Sequence, residues 1–246
     1  MRKKITLFLC SLVFCLNSTA NATDNQYIVD VIILKHNNIE EYPKNLFFND
    51  KTRADESQLI NFDITECSSA NILGDADNSV NESEYQCDQE YVLVNDGYKP
   101  LEKEKQNIEK SPKFSVLKHI TWQQPGYDKK NSKPIKLIAG EDLTARYIDE
   151  SIDEKTIDVL SQGRLHEIHG FAKIYLDEYF TFVVELTLSY FDKETGRLNQ
   201  LKVSENKRLN DNETHYLDHP VIGTIVNITT LDNFVKQKKL HNETTQ

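Results

Sequence analysis

The chain has 246 residues, a formal net charge of −10 and a mean hydropathy of −0.58. An acidic chain is repelled by nucleic acid and by anionic membrane surfaces, so the composition argues against both as partners. After the N-terminal segment no run is apolar enough to predict a transmembrane helix, and we expect no membrane insertion.

The N-terminal segment predicts export. Residues 2–4 are basic, Ile5 to Leu16 form an apolar core too short to span a bilayer, and Ala20 to Ala22 form an A-x-A-like cleavage site. This pattern is typical of a secretory signal peptide over residues 1–22, cleaved after Ala22 or after Ala20. Its removal takes three basic residues and no acids, which changes the formal charge from −10 to −13.

Two cysteines, Cys67 and Cys87, remain after cleavage. In an oxidising compartment they predict a disulfide, which would close a polar loop and stabilise the fold by about 3 kcal/mol. A pair of free thiols is the alternative. The disulfide would cross-link a polar insert at about residues 49–90. We expect this insert to belong to a single domain that covers residues 23–235.

The first strand is predicted at Tyr27 to Leu34, where both alternating faces are apolar except at Asp30. A strand of that kind lies in the middle of a sheet that is covered on both sides. Pro100 to Lys110 predicts a short charged helix, and Phe114 to Trp122 predicts a strand that ends at a Pro-Gly turn.

The strongest alternation runs from Gly170 to Tyr190, where almost every even position is apolar. A two-residue hairpin at Asp177-Glu178 would reverse this parity. A three-residue loop would keep it but usually needs glycine in the left-handed region. We therefore expect one long strand, bent by a bulge near Glu178.

The C-terminal part predicts an antiparallel meander. Gly196 suits the special position of a hairpin loop, after which Leu198 to Leu209 returns as a polar strand. His215 to Leu231 forms the last strand or pair of strands, and residues 236–246 form a polar tail. The expected fold class is α+β, mainly an antiparallel sheet with one long central strand and a few short helices on one face.

Several histidines raise the question of metal binding or catalysis. His166 and His169, with His215, Asp218 and His219, could supply imidazoles and a carboxylate to zinc. However, the first pair lacks the HExxH spacing, and the second pair is about 13 Å apart on an extended strand. The favoured interpretation of the polar cluster from His215 to His219 is a structural turn built around Asp218. The alternatives are a binding surface and a zinc-dependent wall hydrolase.

Trp122 has two possible roles. It can pack in the core at a strand end, or it can stack on a sugar ring with Gln123 and Gln124 as hydrogen-bonding partners. No G-x-S-x-G motif is present, and the residues indicate no catalytic site or cofactor.

Two stretches, "LKHITWQQPG" and "ETHYLDHPVIG", resemble the signatures of the CsiV family, exported peptidoglycan-binding proteins of Gram-negative bacteria. The strand segments "YIVDVIIL" and "GFAKIYLDEYFTFVVELTL" fit the same order. Three residues depart from the family's pattern: Gln123 replaces an arginine, Thr181 a histidine, and Thr214 an apolar residue.

The resemblance implies a periplasmic protein that binds the cell wall and performs no catalysis. It further implies support of a class A penicillin-binding protein, together with the outer-membrane lipoprotein that activates this synthase. The candidate binding residues, drawn from the two signature stretches, are Trp122, Gln123, Gln124, His215, Tyr216, Asp218 and His219.

Overall fold

The computed structural model describes residues 25–38, 59–62, 90–95, 97–146, 164–192, 195–196 and 198–244. The expected signal peptide, the Cys67–Cys87 disulfide and most of the polar insert lie outside these residues.

Antiparallel strands dominate the described residues, with two α-helices between and after them. In chain order the elements are β1 (Gln26–His36), β2 (Val92–Leu93), α1 (Glu102–Glu109), β3 (Phe114–Pro125), β4 (Ile135–Asp142), β5 (His166–Leu176), β6 (Phe180–Phe191), β7 (Leu198–Leu209), β8 (Thr214–Asp218), β9 (Ile222–Thr230) and α2 (Leu231–Thr244). This content confirms the expectation of a mainly antiparallel α+β fold. Neither helix has the length and apolar character needed to cross a membrane.

The strands form two sheets. The five-stranded sheet has the order β2-β3-β1-β9-β8, and the four-stranded sheet has the order β4-β5-β6-β7. Alternate residues of both sheets meet in one core, which includes Val31 of β1, Trp122 of β3, Phe182 of β6 and Val203 of β7. At one end the Tyr27 and Phe180 rings pack edge to face with their centroids 4.8 Å apart. The sheets therefore share one hydrophobic core.

Strand β1 is central and covered on both sides, as its sequence predicted. It pairs with β3 on one side and with β9 on the other. Val29, Val31 and Ile33 face the shared core, while Ile28 and Ile32 on the opposite face are also buried. That opposite face lies under the helices: Phe234 of α2 is buried, and the residue before α1 bonds to β1.

The expected long central strand is a hairpin instead. Strands β5 and β6 pair with Leu176 opposite Phe180, which leaves a three-residue turn. This turn keeps the even residues on one face, as parity required. It needs no glycine, because among the described non-glycine residues only Asn212 has a positive φ. The Leu176 N–H donates to Tyr127 O at 2.7 Å and ends β5 at this point.

The C-terminal expectations are partly corrected. Gly196 has a φ of 67° in the loop between β6 and β7, as a hairpin loop requires. Residues 236–244, expected as part of a polar tail, are mostly exposed but continue the helix α2. Phe234 supplies the buried contact that ties the start of this helix to the sheet.

Candidate functional site

The first signature stretch places its tryptophan inside the molecule. Trp122 is 0% exposed, and its Nε1–H donates to Gln124 Oε1 at 2.8 Å. Gln124 is buried as well, whereas Gln123 points the other way and places its Nε2 3.4 Å from Gln26 Oε1. An indole enclosed by core residues cannot stack on a sugar ring. This corrects the expectation of a stacking platform and assigns Trp122 to core packing.

The same stretch holds strand β5 in place. Gln124 Nε2–H donates to Ile174 O at 3.1 Å, and the Ser132 hydroxyl donates to the same carbonyl. Nearby, the Leu176 N–H bonds to Tyr127 O. Because these bonds come from β3 and the turn after it, the signature residues link the two sheets behind the C-terminal end of β5.

The second signature stretch forms β8, an edge strand of the five-stranded sheet. Leu217 faces the core, whereas Tyr216 is 39% exposed and Asp218 is exposed. The Tyr216 hydroxyl donates to Asp218 Oδ1 at 3.1 Å. Partial burial raises the pKa of Tyr216 to about 12, and the hydrogen bond and charge of Asp218 act in the same direction. Tyr216 therefore stays neutral and offers a partly exposed ring beside a carboxylate.

The two histidines of this stretch bond to the backbone. His215 Nε2 accepts the Asn210 N–H at 3.0 Å, and His219 Nδ1 accepts the Val221 N–H at 3.3 Å. Partial burial lowers the pKa of His219 below its usual 6.5, although the Glu205 carboxylate opposes this shift. These bonds agree with the structural interpretation of the turn. In the described part of the chain, no group of three or more His, Cys, Asp or Glu side chains could hold a metal ion.

The seven candidate residues thus occupy two places. Trp122 and Gln124 support the interior, and Gln123 lies half-buried on the other face of the same strand. The other four candidates lie on and just after the edge strand β8: His215, Tyr216, Asp218 and His219.

A buried polar network was missed as a site, although its central residue stands out in the sequence. Asp30, the only acid of the apolar strand β1, is 0% exposed. Its carboxylate accepts hydrogen bonds from the Leu101 N–H at 2.8 Å, the Thr121 hydroxyl at 2.8 Å and His119 Nε2 at 2.9 Å. His119 Nδ1 lies 3.7 Å from a Glu102 carboxylate oxygen. The network fixes the N-terminal end of α1 on the five-stranded sheet.

The outward face of the four-stranded sheet was also missed. It consists of side chains that alternate with the core positions and are intermediate or exposed. We call it the open face, and its members are Lys136, Ile138, His169, Phe171, Lys173, Tyr175, Thr181, Val183, Glu185, Thr187, Lys202, Ser204, Asn206 and Arg208. Among the described elements, both helices lie on the other sheet. The odd positions of the "GFAKIYLDEYFTFVVELTL" stretch carried this signal, because they mix aromatic, cationic and hydroxyl side chains.

A match to a family model identifies the family of the chain. The model that describes CsiV as a peptidoglycan-binding protein matches residues 4–231. The chain belongs to the CsiV family. No curated protein and no solved structure gives a significant match.

Family membership explains the two signature stretches and indicates a location in the cell envelope. The CsiV description names binding to peptidoglycan and no reaction. Chemically, the described surfaces of this CsiV protein offer exposed tyrosine rings, carboxylates and ammonium groups. These groups can bind the sugar rings, amines and carboxylates of peptidoglycan.

Proposed function

We propose that this chain is a non-catalytic, peptidoglycan-binding accessory protein of the periplasm that supports wall synthesis by a class A penicillin-binding protein. The observation that carries the proposal is the CsiV match over residues 4–231. The signal-peptide pattern of residues 1–22 supports export, and Cys67 and Cys87 suit an oxidising compartment.

Sedimentation with purified sacculi tests the wall-binding part. The mature chain, from residue 23 onwards, should pellet with sacculi and stay in the supernatant without them. An unrelated exported protein of similar negative charge is the control for trapping. If the mature chain stays in the supernatant across a salt series, the proposal fails.

Within this function, Tyr216 and Asp218 are the proposed contacts among the candidates on β8. The exposed ring of Tyr216 suits a sugar face, and the Asp218 carboxylate suits an amine of the stem peptide. Tyr216→Ala should weaken sacculus binding more than Tyr216→Phe, because only the alanine variant removes the ring. Equal binding by both variants would exclude this contact.

The link to synthesis calls for a reconstituted reaction. A purified class A penicillin-binding protein and its outer-membrane lipoprotein activator should polymerise glycan strands faster when the mature chain is added. A rate that stays the same, while sacculus binding is intact, would limit the function to wall binding.

A protein-interaction scaffold is the second candidate, and the position of β7 favours it. Strand β7 spans twelve residues, Leu198–Leu209, at the edge of the four-stranded sheet, and it pairs with β6 on one side. An edge strand of this length can accept a partner strand through its main chain. Recovery of the synthase from periplasm, with no sacculus binding, would favour this function over the first.

A further inference from the structure

The open face carries an excess of positive charge on an acidic protein. Its cationic members are Lys136, Lys173, Lys202 and Arg208. Its single carboxylate, Glu185, lies 3.8 Å from Lys202 Nζ, and four cations against one carboxylate leave the face an excess of three positive charges. The whole chain has a net charge of −10. The net charge of the open face is therefore positive, whereas that of the rest of the molecule is negative. A positive surface favours an anionic ligand.

Two aromatic rings next to cations lie at one end of this face. Lys129 Nζ is 5.9 Å from the centre of the Tyr175 ring, and the Arg208 guanidinium stacks over the Tyr179 ring. Tyr179 is 50% exposed. Thr181 lies opposite Tyr175 in the β5–β6 register and opposite Arg208 in the β6–β7 register, so the two pairs belong to one row across the sheet.

Lys173 adds a cation beside this row. Its Nζ donates to the main-chain carbonyl of Lys129 at 2.9 Å. Partial burial, followed by the nearby Lys129 ammonium, lowers the pKa of Lys173, although the Asp128 carboxylate opposes this shift. A ligand carboxylate would relieve the repulsion between the two ammonium groups.

The row is held rigidly from behind. Ile174, between Lys173 and Tyr175, has its carbonyl bonded by Gln124 and Ser132 from the interior. Because the strand is fixed on its buried side, the outward side chains are positioned before any ligand arrives, which lowers the entropy cost of binding. Gln124 of the "LKHITWQQPG" stretch therefore supports the open face from the interior.

We propose that the open face is a binding surface for glycan strands that carry anionic stem peptides. Tyr175 and Tyr179 stack on sugar rings, while Lys173, Lys202 and Arg208 pair with stem-peptide carboxylates. This inference rests on the proposed peptidoglycan binding and names the surface and the chemistry that achieve it.

The charge part is tested with two double variants of equal charge change. Lys202→Gln/Arg208→Gln removes two cations from the open face, and Lys236→Gln/Lys239→Gln removes two exposed cations from α2 on the other sheet. The open-face variant should bind sacculi about tenfold more weakly, a change of about 1.4 kcal/mol, because two solvent-exposed ion pairs with stem-peptide carboxylates are lost. The α2 variant should bind like the wild type, and both should melt normally.

The stacking part uses Tyr179→Phe and Tyr179→Ala. Only the alanine variant should lose affinity for sacculi. Glycan strands stripped of their stem peptides should bind the wild type and Lys202→Gln/Arg208→Gln equally, because their carboxylate partners are gone.

The outcomes separate this inference from the proposed function. If the wild type binds sacculi but Lys202→Gln/Arg208→Gln binds as tightly, the open face is not the wall-binding surface and the proposed function stands. If that variant keeps sacculus binding and loses a synthase, the face contacts protein and the inference is overturned. If the wild type does not bind, both fail.

Discussion

The enclosed Trp122–Gln124 pair offers a direct measure of how the signature stretch is used. Trp122 is the only tryptophan of the chain and is 0% exposed. Its hydrogen bond to Gln124 Oε1 is 2.8 Å long. Trp122→Ala would cost about 3–5 kcal/mol, close to the whole stability of a marginal domain. Trp122→Phe is therefore the informative change, because it keeps an aromatic ring and removes the donor.

The expected cost of Trp122→Phe has two parts. The Gln124 Oε1 atom is left in the core without its donor, which costs about 1–3 kcal/mol. The smaller ring also leaves a cavity, which adds to the loss. In Trp122→Phe/Gln124→Met the unsatisfied oxygen is gone. The double variant should therefore be more stable than the sum of the single variants by about 1 kcal/mol or more.

Urea unfolding of the oxidised mature chain gives the free energy of unfolding of four proteins: the wild type, Trp122→Phe, Gln124→Met and the double variant. Far-ultraviolet circular dichroism follows the transition without relying on tryptophan. Sacculus sedimentation of the folded variants gives the second readout. We expect the variants to have a lower free energy of unfolding than the wild type and, while folded, to bind sacculi as the wild type does. In the wild type, iodide should leave tryptophan fluorescence unquenched until the protein unfolds.

Two results would refute this reasoning. A coupling energy below about 0.3 kcal/mol would mean that the indole and the amide do not interact. Unchanged stability of Trp122→Phe with lost sacculus binding would mean that the indole faces the ligand.

Three further predictions concern the buried acid and the groups on and beside β8. Asp30→Asn should lower the free energy of unfolding by about 3–5 kcal/mol in urea, because His119 and two other donors lose a buried carboxylate; a loss under about 1 kcal/mol would contradict this. The pKa of His219 is lowered from 6.5 in the folded state, so the unfolded state binds the proton first as pH falls. The free energy of unfolding of the wild type should therefore decrease below pH 6.5. His219→Gln should reduce this decrease in a urea series, and identical pH profiles would argue against it. Because the pKa of Tyr216 is raised to about 12, its contribution to stability should be lost as pH rises from 10 through 12, and Tyr216→Phe should lack the corresponding tyrosinate absorbance step. A wild-type spectrum without a step near that pH would contradict this.

Local alternation predicted where strands lie, but not how they turn. A bent strand and a hairpin with a three-residue turn place the even residues from Gly170 to Tyr190 on the same face. The sequence could not separate them, because parity is identical in both. The turn is decided by contacts from distant segments, namely the Leu176–Tyr127 bond and the packing of Tyr27 on Phe180.

The same limit applies to the candidate site. The chemistry of Trp122 suits a core and a sugar platform equally, and only the second sheet buries it. Asp30 was visible as an acid in an apolar strand, but its three donors come from residues about 70 to 90 positions away.

By itself the sequence determined the antiparallel α+β character, the doubly covered first strand and, through two short stretches, the CsiV family. These features depend on patterns within one segment, where burial repeats every second residue. Only the tertiary structure decided which faces remain outside. Exposure of the open face and enclosure of Trp122 both depend on how two sheets and two helices stack, and this arrangement brings together residues far apart in the chain.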